Sequence, residues 1–150
     1  MNSHHFWCGL FLILLCGCEQ SSPRHFTGAP FPAMTALTCD LEVRHFGDLN
    51  PDYARGKSSD PMNLTFTNFN LEARTARLIG NKGTAQVEFR RADDQLQFLE
   101  TTPSGNLIVT IVFAPPSQGS ALPAVHSRHL LMAPGSIVIS QYAGSCTPKS

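Results

Sequence analysis

From Thr38 to Tyr142 the chain repeats one pattern: a short run of alternating apolar and polar residues, then a cluster of Gly, Pro, Asn, Asp or Ser. A period of two puts one set of side chains on each face of an extended segment, so each run predicts a half-buried β-strand. Residues 38–46 set Leu41, Val43 and His45 against Asp40, Glu42 and Arg44. Residues 62–69 carry Leu64 and Phe66 on one face, 74–79 form a shorter run, and 84–90 alternate Ala85, Val87 and Phe89 with Gln86, Glu88 and Arg90. Residues 95–102 offer Leu96 and Phe98; 128–133 and 136–142 pair as a hairpin about Pro134-Gly135. Residues 107–113 are apolar on both faces except Thr110, which predicts the best-buried strand.

The punctuation between runs is equally regular. A loop passes through Gly47, Pro51, Gly56 and Pro61; Gly80-Asn81-Lys82-Gly83 and Pro103-Ser104-Gly105-Asn106 are tight-turn signals; residues 92–95 turn the chain; and 114–124 is a Pro-rich loop. Only 70–76 (NLEARTA) offers a short helical turn as an alternative to a bend. Strands spaced by about 8–12 residues typify sandwiches and barrels. The expected fold is all-β: a small antiparallel β-barrel or sandwich of about eight strands.

Composition narrows the function. The 150 residues carry no net formal charge and only 15% are charged, where about 25% is usual. Nucleic-acid binding through phosphate neutralisation needs a basic face and is excluded. Eleven Gly and eleven Pro without a repeat period exclude collagen and coiled coil.

Residues 6–18 (FWCGLFLILLCGC) form an uncharged apolar run, shorter than the about 20 residues of a spanning helix and suited to an export signal. Before it, residues 1–5 contain no Lys or Arg, only His4 and His5. Leu15-Cys16-Gly17-Cys18 resembles the lipobox of bacterial lipoproteins. That resemblance implies cleavage before Cys18 and lipidation of Cys18, with acyl chains contributing about 0.8 kcal/mol per buried methylene. Glu19 stands where an Asp favours inner-membrane retention in enterobacterial lipoproteins, so the resemblance implies an outer-membrane anchor facing the periplasm. The expected organisation is a signal peptide over 1–17, a lipidated N-terminus and tether over 18–36, and a β-domain over 37–150. Pro23, Gly28, Pro30 and Pro32 disfavour a packed element in the tether, although His25, Phe26 and Phe31 are able to pack back on the domain.

Of five cysteines, Cys8 and Cys16 leave with the signal and Cys18 takes lipid. Cys39 and Cys146 remain, and in an oxidising periplasm they are expected to pair. The size, this cysteine pair, the lipobox and the eight runs are similar to the membrane-bound lysozyme inhibitor family of small lipid-anchored barrels. The resemblance implies a Ser-Gly loop entering the lysozyme cleft. Ser104-Gly105 is the matching dipeptide, followed here by Asn106, Leu107 and Ile108 instead of basic and aromatic residues.

Candidate chemistry is sparse. His126-Ser127-Arg128-His129 is the densest polar cluster and reads as a solvated strand start. On a strand, His126 and His129 point to opposite faces, which opposes shared metal ligation; in a loop they converge, with His45 as a third ligand. Asp93 and Asp94 diverge in a turn, Ser104 lacks a nucleophile-elbow pattern, and Gly80-Asn81-Lys82-Gly83 has no following helix to make a phosphate loop. The candidate binding residues are therefore His126, Arg128, His129 and Ser104, with no catalytic residue, metal or cofactor expected. The expected function is a non-enzymatic, lipid-anchored envelope domain whose partners are the membrane, through its anchor, and a protein or small apolar ligand. Alternatives are a lysozyme-inhibitor-like protein, a lipocalin-like small-ligand carrier, and a metal-dependent hydrolase using His126 and His129.

Overall fold

A computed structural model describes residues 29–48, 60–133 and 136–150. The signal peptide, Cys18, most of the tether and the Pro134-Gly135 turn lie outside these residues, as do the side chains of His45 and Phe46. Eight strands follow one another: β1 (Ala36–Asp48), β2 (Met62–Asn70), β3 (Thr75–Gly80), β4 (Gly83–Arg91), β5 (Gln95–Thr101), β6 (Leu107–Phe113), β7 (Leu122–Ala133) and β8 (Ser136–Lys149). Each pairs antiparallel with the next, and β1 also pairs with β8, so the sheet closes into a barrel rather than splitting into a sandwich. Closure gives every strand two neighbours, so none is left as the edge strand of an open sheet.

Alternation decides what fills the barrel. Leu37, Cys39 and Leu41 point inward from β1, Leu64 and Phe66 from β2, and Val87 and Phe89 from β4. Across β5 to β8 the inward residues form cross-strand rows. One row is Leu96, Val112, Ala124 and Gly144; the next is Phe98, Thr110, His126 and Tyr142; the third is Glu100, Ile108, Arg128 and Ser140. The rows change from apolar to charged along the barrel axis.

The apolar end is closed. The Phe66 and Phe98 rings stack with centroids 3.8 Å apart, and Phe89 and Phe69 pack around them. The expected disulfide is present: Cys39 and Cys146 are direct partners across the β1–β8 seam and both are fully buried. Residues 29–35 pack over this end. Ala29 N–H donates to the Pro115 carbonyl, Thr35 N–H to that of Lys149, and buried Phe31 joins the core under the Arg91 guanidinium. Ala36 already belongs to β1.

One expectation needs correction, and two others are refined. The Pro-rich loop ends at Ala121, and β7 begins six residues earlier than the 128–133 run. Pro123 masks that start, yet as the second residue of its strand with an exposed side chain it costs the ladder little. Residues 71–74 turn the chain, as the bend reading has it, and the helical alternative falls: Asn70 Oδ1 accepts from Ala73 N–H, and Arg74 takes a left-handed φ of 53°. Strand β6 is well buried, as expected, but fully so on one face only: Ile108, Thr110 and Val112 point inward while Leu107 is 44% exposed and Val109, Ile111 and Phe113 are half-buried outside. A single-walled barrel has no second layer to cover an outer face.

Candidate functional site

The opposite end of the barrel opens into a cavity of about 480 Å³. Its apolar wall includes Met62, Leu64, Leu78 and Ile108; its polar lining includes Glu100, Thr102, His126 and Arg128, with Asp60 and Lys82 at the rim. The β3–β4 turn at Asn81-Lys82 supplies rim, not a phosphate cradle, because it joins two strands.

His126 is the centre of this arrangement. It is only 3% exposed, since the early start of β7 places it mid-strand, facing inward. Its Nδ1 lies 2.8 Å from Thr110 Oγ1 on β6, and its ring meets Tyr142 of β8 edge-on at 5.7 Å. Nε2 is enclosed by protein and has no hydrogen-bond partner among the described residues. If Thr110 donates to Nδ1, Nε2 carries the proton and seeks an acceptor; in the other tautomer it is a bare acceptor. Burial first, and the nearby Arg128 guanidinium second, push the imidazole down to about 4 from its ordinary 6.5, so the ring is neutral at pH 7.

The four predicted binding residues separate. His126 and Arg128 share the cavity, both inward-facing on β7. The expectation of a solvated strand start fails for His126. His129 points outward and is exposed, so alternation within the strand parts it from His126. Among the described residues, no group of three or more His, Cys, Asp or Glu gathers at metal-binding distance. Ser104 sits at the tip of the β5–β6 turn, where its Oγ lies 2.9 Å from Thr102 Oγ1 and accepts from Asn106 Nδ2; it does not line the cavity.

Glu100 escaped the sequence reading although a signal was present. From Gln95 to Pro148 the only Asp, Glu, Lys or Arg residues are Glu100 and Arg128. Strand parity turns both inward, one on each side of Ile108: Glu100 pairs in register with Ile108, and Ile108 with Arg128. The outer wall of β5 to β8 thereby lacks charge over this span, whereas the outer faces of β1 and β4 carry the Arg44–Glu42 and Arg90–Glu88 pairs. A stretch that otherwise avoids charge spends its two charges inside a cavity. No family model, no curated protein and no solved structure matches this chain in the three comparisons made.

Proposed function

We propose that this protein is a non-enzymatic, lipid-anchored barrel of the bacterial envelope that carries a small ligand in its open end. The observation that supports ligand binding is the cavity itself: about 480 Å³, within the roughly 300–1,000 Å³ range of ligand clefts, with Glu100, His126 and Arg128 in its lining. No carboxylate hydrogen-bonds His126 among the described residues, so its partner Thr110 offers no acid–base relay. The anchor is supported by the lipobox alone.

Native mass spectrometry of protein purified from its own envelope tests the carrier reading. The expected result is a retained small molecule on the wild type that is lost from His126→Leu; a ligand-free wild-type mass overturns the reading. For the anchor, Cys18→Ala is expected to move the protein from the membrane to the soluble fraction. Unchanged membrane retention of that variant overturns lipidation at Cys18.

A further inference from the structure

We infer that the ligand is zwitterionic: a small molecule with an apolar body, a carboxylate held by Arg128 and an ammonium held by Glu100, as in a short apolar peptide. The inference rests on the carrier reading and names its ligand class. Glu100 and Arg128 lie in one cross-strand row on strands separated by β6, so their backbones are roughly 10 Å apart, two strand spacings. They are not joined: the ion pairs among the described residues are Arg44–Glu42 and Arg90–Glu88, both on the outer surface. Glu100 and Arg128 therefore face one cavity inside the barrel, each half-buried and each without an ionic partner among those residues, while Asp60 and Lys82 stand at its rim.

A carboxylate meets Arg in a bidentate fork, and an ammonium donates to Glu; such charge-assisted bonds are about twice as strong as neutral ones. A purely anionic ligand would satisfy Arg128 and be repelled by Glu100. A purely cationic one would suffer the converse. Only a molecule bearing both charges satisfies the row, and the separation suits charges set further apart than in a single compact group. Below the row, Leu64 and Leu78 offer apolar wall to its body.

The test uses leucyl-leucine, N-acetyl-leucyl-leucine without its ammonium, and leucyl-leucine amide without its carboxylate, titrated by calorimetry into the mature protein freed of endogenous ligand. Wild type is expected to bind leucyl-leucine at least 10-fold more tightly than either analogue. Glu100→Gln should abolish discrimination against the acetylated peptide, and Arg128→Gln discrimination against the amide, while the thermal midpoint of each variant reports that it is folded. Equal binding of the three compounds, or none, overturns the zwitterion assignment. So does a co-purifying ligand that lacks either ionic group. A retained natural ligand with any of these results fells the assignment and leaves the carrier reading standing; a ligand-free native mass fells both.

Discussion

At the closed end of the barrel, Phe66, Phe89 and Phe98 stack beside the Cys39–Cys146 bridge and Phe31 covers them. Toward the open end the inward positions on β5 and β7 become Glu100, His126 and Arg128. The same antiparallel ladder runs through both ends, shifted in register only between Val43 and His45, Thr67 and Asn70, and Leu131 and Ala133, so the difference lies mainly in which side chains the inward parity selects. Apolar burial, worth about 25 cal/mol per Å², stabilises the closed end without needing a partner. Inward charges and an unpaired imidazole do the opposite: they forgo stability where the barrel opens. On the carrier proposal, stability and binding thus fall to different ends of one wall, and each end can be perturbed separately.

The largest effect is expected at the bridge. Cys39 and Cys146 are 107 residues apart, and a loop of that order constrains the unfolded chain by about 4.7 kcal/mol in the chain-entropy model. Cys39→Ala/Cys146→Ala should lower the stability measured by guanidinium unfolding by about 4 kcal/mol. Close behind comes Phe98→Ala. Phe98 is 2% exposed and stacks on Phe66 and Phe89, so truncation leaves a cavity and should cost about 3–5 kcal/mol. Whatever fraction of either variant remains folded should bind ligand as the wild type does. Weakened binding by folded Phe98→Ala would show that the ends are coupled.

This division was only half legible in the sequence. Period-two alternation and apolar runs located all eight strands, though not the first six residues of β7 or the last seven of β8, and turn residues located nearly every turn, because these signals follow from local backbone geometry. The two remaining cysteines pointed to a joined first and last strand. Barrel and sandwich were indistinguishable, since both present the same alternation and closure depends on β1 pairing with β8, a long-range fact. His126 was placed at a solvated strand start because Pro123 hid the first residues of β7, and with them the register that turns His126 inward. Glu100 differs: it shares the parity of Leu96 and Phe98, so its inward face is legible in the run, but a lone charge at the end of a short strand does not show that the barrel holds a cavity there.

Acid separates the ends next. In the folded protein His126 titrates near 4, against 6.5 for a free imidazole. Between those values the unfolded chain takes up a proton that the folded chain refuses, so stability falls as pH drops from 6.5 to about 4 and levels below. At 1.36 kcal/mol per unit the whole loss is roughly 3 kcal/mol. Replacing the ring by an apolar one, His126→Phe, should remove this component, giving a flatter stability curve over that window in urea unfolding. An unchanged curve would mean that His126 titrates normally and is not held neutral by burial.

The smallest expected effect tests where the open end stops. Ser104 is exposed at the tip of the β5–β6 turn, and its hydrogen bonds to Thr102 and Asn106 are local. Exposed groups re-bond to water when a partner is lost, so Ser104→Ala should change stability by about 0.5 kcal/mol or less. Because Ser104 is not on the cavity wall, leucyl-leucine binding should also be unchanged. The same variant addresses the resemblance to lysozyme inhibitors, which would put the working contact on this turn and not in the cavity. The carrier reading expects no inhibition of lysozyme by either protein in a cell-wall lysis assay. Inhibition by the wild type that Ser104→Ala abolishes would move the function from the inside of the barrel to its rim, and the inward charges would then need another explanation.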